Sequence, residues 1–81
     1  MSVRVLFFGP LTEIAGAGPH TITLPEAATV QHLYDLLFEK WPALRTHAAS
    51  LLTAVNLTYA RRDEIIPADA EVAVMPPVQG G

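Results

Sequence analysis

Two glycines, Gly80-Gly81, close the sequence directly after Met75-Pro76-Pro77-Val78-Gln79, and residue type and spacing suggest chemistry here more than anywhere else. A carboxylate carried on backbone without side chains can enter a narrow channel, and glycine adopts φ values closed to other residues. A terminal glycine pair arises by chance in about one chain in two hundred. The stronger rivals are a frayed tail or a residual cloning segment. The double proline weighs against both, because it ends a hydrophobic strand and stiffens the base from which the last residues leave. Beyond it, Val78, Gln79, Gly80 and Gly81 reach about 14 Å when extended.

No other constellation competes. The sequence has no cysteine, so it can form no disulfide, no thiolate metal site and no nucleophilic thiol of its own. Any sulfur chemistry would use imported sulfur. His20, His32 and His47 lack the spacing of a helical metal pair, so no metal site and no bound cofactor is expected. Asp35 and Glu39 lie one helical turn apart as like charges on a solvated face, an arrangement unsuited to a general acid and base. Arg61-Arg62 adjoins Asp63-Glu64, which reads as local charge balance. Thr12 and Ser50 have no His and Asp partners in a recognisable order, and there is no phosphate loop. The reactive group is therefore expected to be the carboxylate of Gly81.

The remaining residues must position it. Eighty-one residues make one domain, with 51% hydrophobic and 16% charged residues placing it on the globular side despite seven prolines and five glycines. The expected division is a folded unit over 1–77 and a tail over 78–81. No apolar run is long enough to span a bilayer, and Met1-Ser2-Val3-Arg4 leads into a segment too short for a signal peptide, so a cytoplasmic location without membrane attachment is expected. The net charge is −3 and the five bases are dispersed except for one adjacent pair. That pattern argues against nucleic acid, and a mildly acidic surface suits a basic protein partner.

Val3 to Phe8 reads as a central strand closed by Gly9-Pro10. Leu11 to Ala15 suits one or two helical turns, and His20 to Leu24 alternates as a half-buried strand antiparallel to the first. Thr29 is a candidate N-cap, after which Val30, Leu33, Tyr34, Leu37 and Trp41 fall within about a 100° stripe of one helix. Pro42 ends that helix near Lys40, and Ala43 to Ser50 begins a second short turn. Leu51 to Tyr59 reads as a strand, Arg61 to Glu64 and Pro67 to Ala70 as turns, and Glu71 to Met75 as the last strand. This order gives an α+β plan, a small mixed sheet with one main helix across one face. If the first and last strands lie parallel in its centre, period-2 alternation turns Val3, Val5, Phe7, Val72 and Val74 toward the helix. Leu6, Phe8 and Met75 then face away, and Phe8 and Met75 form an apolar patch beside the tail.

Val5-Leu6-Phe7-Phe8, the helix entry from Leu24-Pro25 through Thr29-Val30 to Tyr34, Ala54-Val55-Asn56, and Glu71-Val72-Ala73 through Pro76-Pro77-Val78-Gln79-Gly80-Gly81 together resemble the small subunit family of molybdopterin synthase. Members are ubiquitin-like sulfur carriers with the β-grasp fold. The resemblance covers nearly the whole chain, and its most specific element is the Pro-Pro-Val-x-Gly-Gly ending.

The resemblance implies that an ATP-dependent adenylating enzyme, similar to ubiquitin-activating enzymes, activates the Gly81 carboxylate. A sulfur donor would then convert the adenylate to a thiocarboxylate, and the tail would enter the large subunit of a heterotetrameric synthase. There, sulfur would pass to cyclic pyranopterin monophosphate to form molybdopterin, two loaded tails per product. It also implies that Val78, Gln79, Gly80 and Gly81 insert and that Phe8, Met75, Pro76, Pro77 and Tyr59 meet the partner. For Tyr59, simple alternation points instead to the face of Val55 and Leu57. Other readings are the sulfur carrier of thiamine thiazole synthesis, a ubiquitin-like protein modifier joined through Gly81 to lysines, and a β-grasp interaction module with an inert tail. The first of these carriers tends to lack the double proline.

Overall fold

The two ends of the sequence meet in the middle of one sheet. In the computed structural model, which describes residues 1–77, β1 (Ser2–Phe7) and β5 (Glu71–Met75) run parallel, with Arg4 against Glu71 and Phe7 against Val74. β2 (His20–Thr23) pairs antiparallel with the outer side of β1. β3 (Leu52–Val55) pairs antiparallel with the other side of β5, and β4 (Thr58–Tyr59) closes that edge, giving the order β2-β1-β5-β3-β4. A helix lies across one face of this mixed sheet, which is the β-grasp, ubiquitin-like architecture expected from the sequence.

That helix, α2 (Val30–Lys40), starts directly after Thr29, which is still extended and whose hydroxyl accepts the His32 N–H at 3.2 Å. It stops at Trp41, held at φ −129° and ψ 83° by the following proline. Val30, Leu33, Tyr34 and Leu37 bury their side chains against Val3, Val5 and Phe7 of β1 and Val72 and Val74 of β5. Each fully buried aliphatic or aromatic side chain of this kind contributes about 1.5–3 kcal/mol. A short helix α1 (Leu11–Ala15) and a 3-10 helix Pro42–His47, which touch each other, add the fully buried Leu11 and Leu44 to the same core.

One polar pair is enclosed. Thr53 of β3 points to the helix side, and its hydroxyl hydrogen-bonds the Tyr34 hydroxyl. The Arg62 guanidinium covers the Tyr34 ring at 4.8 Å and donates to the Ala48 carbonyl. Arg62 thus ties the segment after β4 to the helix layer, whereas Arg61 is exposed beside Asp63 and Glu64 at 3.6 and 3.9 Å. Local charge balance therefore describes Arg61 alone.

Residues 51–59 depart from the single strand expected. Asn56 and Leu57 take positive φ, 48° and 71°, and form a two-residue turn that sets Val55 against Thr58 and Ala54 against Tyr59. Both central residues of such a turn need positive φ, for which the usual signal is Asn-Gly. Here leucine occupies the second position, and the Asn56 side chain accepts the Glu71 N–H at 3.0 Å.

Two measurements check these contacts. Burial raises the Tyr34 phenol above its ordinary value of 10.0, partly opposed by the Thr53 hydrogen bond and the Arg62 charge. The neutral form is thus favoured in the folded state. Its contribution is complete below pH 10 and lost as pH rises from there through the folded value. Denaturant melts should show stability falling more steeply above pH 10 for the native chain than for Tyr34→Phe. In the second, Leu57→Gly should raise stability by about 1 kcal/mol, because glycine avoids the left-handed penalty; an unchanged or lower midpoint would count against strain at the turn.

Candidate functional site

The helix covers one face of the sheet and leaves the other open. Register assigns that open face: Arg4 and Leu6 of β1 lie opposite Glu71 and Ala73 of β5, and Leu52 and Ala54 of β3 lie opposite Met75 and Ala73. Leu6, Leu52, Ala54, Ala73 and Met75 are each half-buried, as expected of side chains standing on an uncovered pleated surface. The face is graded. At one end the Arg4 guanidinium meets the Glu71 carboxylate at 3.3 Å; at the other, Leu52 and Met75 make it apolar.

Phe8 extends the apolar end. It follows the last residue of β1, yet its N–H still reaches the Val74 carbonyl at 3.1 Å, so the alternation of β1 continues and its ring is 47% exposed. The expected juxtaposition of Phe8 with Met75 beside the last strand's exit is present in the fold. Small side chains at Ala54 and Ala73 keep the middle of the face low between larger neighbours.

Tyr59 requires a correction to simple alternation. Counting by twos from Val55 through Leu57 sends it to the helix side, but a two-residue turn reverses the parity on the returning strand. Tyr59 therefore pairs with Ala54, shares its face, and is 67% exposed. Leu52, Ala54 and Ala73 were not singled out in the sequence. Asn56 between two β-prone segments was the available sign of the turn, and the following leucine concealed it.

The base of the tail is seated. Gly9, at φ +60°, lies so close to Pro76 that a Cβ there would stand 3.2 Å from the proline Cγ. The Gly9 carbonyl is itself held by the Thr12 N–H at 3.1 Å and the Thr12 hydroxyl at 2.8 Å. Pro76 is half-buried and Pro77 exposed. The expected inserting residues, Val78, Gln79, Gly80 and Gly81, lie outside the described residues. Among the described residues no cluster of His, Cys, Asp and Glu could hold a metal ion, and no helix is long and apolar enough to cross a membrane.

Known proteins resemble this chain along its length. The model of the ThiS family matches residues 5–81. A molybdopterin synthase sulfur carrier subunit from Caenorhabditis briggsae is 32% identical over 100% of this chain and 99% of its own length. One from Mycobacterium tuberculosis is 33% identical, again over 100% and 99%. Among solved structures, SAMP1 from Haloferax volcanii superposes with a TM-score of 0.86 at 28% identity, each chain covered completely. The chain therefore belongs to the ThiS family and is similar along its whole length to molybdopterin synthase sulfur carrier subunits.

Proposed function

We propose that this protein is the sulfur carrier subunit of a molybdopterin synthase and works through the carboxylate of Gly81. What carries the reading is the placement of the last strand. β5 is flanked on both sides, ends beside Phe8 and Leu52, and passes through a braced Pro76 to the Gly-Gly ending. Full-length relatives bearing that function add support.

The chemistry follows from what a carboxylate lacks. It is a poor electrophile, so exchanging its oxygen for sulfur requires a leaving group. In the proposed cycle a Gly81 carboxylate oxygen attacks the α-phosphorus of ATP on an adenylating enzyme and pyrophosphate departs. Hydrosulfide-level sulfur released by a donor then attacks the acyl carbon and displaces AMP, leaving a thiocarboxylate. With no cysteine in the chain, that sulfur is imported. The carrier contributes no acid or base to these steps; its part is to present the tail and release it.

Presentation has an energetic logic. Fixing each tail residue in a channel costs about 1–2 kcal/mol of backbone entropy, and two prolines at the base reduce how much chain must be fixed. The surplus affinity comes from the body, where Phe8, Met75 and Tyr59 offer apolar and aromatic surface to the large subunit. Within the synthase, sulfur passes to cyclic pyranopterin monophosphate, two loaded carriers being used for each dithiolene in a heterotetramer. ATP is consumed by the activating enzyme, and the cycle runs in the cytoplasm.

A second reading has one observation in its favour, the likeness to a small archaeal modifier protein. In that case Gly81 would form isopeptide bonds with lysines of target proteins.

Intact-mass spectrometry of the protein from cells separates the two. The expected species has one terminal oxygen replaced by sulfur and is absent when Gly81 is deleted; finding only the free acid while the activating enzyme is active would exclude the carrier reading. Lysine-linked conjugates without a thiocarboxylated pool would favour the modifier. For the docking face, Phe8→Arg should weaken large-subunit binding by about 10- to 100-fold in titration calorimetry while the melting temperature stays near that of the native chain. A variant that unfolds would instead assign Phe8 to the core.

A further inference from the structure

The open face does not end cleanly at β4. That strand is only two residues long; the Ala60 N–H still reaches the Thr53 carbonyl at 2.9 Å, and the chain then departs from the sheet. Beside this departure lies a recess of about 380 Å³, lined chiefly by carbon, with Leu51, Leu52, Tyr59, Ala60 and Tyr34 around it and Arg62 against the Tyr34 ring. Its polar groups are already engaged, the Tyr34 hydroxyl with Thr53 and the Arg62 guanidinium with Ala48. The exposed Arg61 at its margin sits beside Asp63 and Glu64. With its polar groups engaged and carbon over most of its wall, the recess selects an apolar occupant.

Its position says which molecule supplies that occupant. Leu52 and Tyr59 belong both to the recess and to the open face, and Leu52 is the register partner of Met75, the last residue of β5. A partner that draws the tail away from Pro77 therefore covers the same end of the sheet as the recess. We propose that the recess receives a single apolar side chain projecting from the synthase large subunit, extending the docking surface around the β4 edge. This inference rests on the reading that the chain docks on that subunit through its open face. A side chain of leucine, methionine or phenylalanine class suits the recess, and enclosure there makes it an anchor of the kind that dominates interface energetics.

The test is calorimetric titration of full-length chains against the large subunit. Ala60→Phe fills the recess from within and leaves the Ala60 backbone hydrogen bond in place; it should raise Kd about tenfold or more. Phe8→Arg, which lies outside the recess, serves as the control arm. If Phe8→Arg weakens binding and Ala60→Phe matches the native chain, the recess plays no part and the inference falls while the docking face stands. If neither weakens binding, the docking face itself is wrong and the inference falls with it. A second measurement needs no substitution: in methyl-labelled native chain bound to the large subunit, intermolecular NOEs should reach the methyls of Leu51 and Ala60. Their restriction to the methyls of Leu6 and Met75 would overturn the proposal, even if Ala60→Phe failed to fold.

Discussion

The parallel ladder between β1 and β5 joins strands from opposite ends of the sequence, and most of the remaining structure depends on it. It forms only after nearly the whole chain has been brought round, so it closes a large loop at substantial entropic cost. The return is a continuous apolar layer, Val3, Val5 and Phe7 beside Val72 and Val74, against which α2 buries its stripe. The same pairing fixes the opposite face without further choice. Once Arg4 stands against Glu71, Leu6 must stand against Ala73, and Phe8 arrives at the end where β5 stops. The candidate site is thus the reverse side of the core.

Features set by local chemistry were legible in the sequence. Thr29 announced the start of α2 because its hydroxyl can accept an orphan N–H, and Pro42 announced its end because it excludes the preceding residue from helical geometry. The β-branched runs at Val3 to Phe8 and Glu71 to Met75 gave the central strands, and alternation alone separated Phe8 and Met75 from the core. Features set by pairing were hidden. The turn at Asn56-Leu57 uses a leucine in the left-handed region, a choice that local preference disfavours and the surrounding ladder enforces. Tyr59, on the returning strand, was therefore assigned to the wrong face by counting. Arg62 shows the same limit. Its sequence neighbours suggest a surface charge cluster, whereas its contacts with Tyr34 and Ala48 exist only once helix and sheet have docked.

Membership of the ThiS family fits a division of labour visible in the residues themselves. The body has no cysteine, and among the described residues no cluster of metal ligands. Instead it has an uncovered sheet face graded from the Arg4–Glu71 ion pair to an apolar end, with the tail's base at that apolar end. Polarity along the face gives a partner an orientation as well as a surface, because docking the wrong way round would set apolar groups against a charged pair.

The flanking of β5 also has a mechanical meaning. A partner that pulls on the tail pulls along the axis of a strand held on one side by β1 and on the other by β3, with Pro76 braced against Gly9 at the point where the force enters. Such a pull loads the hydrogen bonds of both ladders together, in shear, whereas an edge strand would peel away one bond at a time. Central placement of the last strand therefore lets the body stay folded under a load that enters at Pro76, making the domain a durable handle.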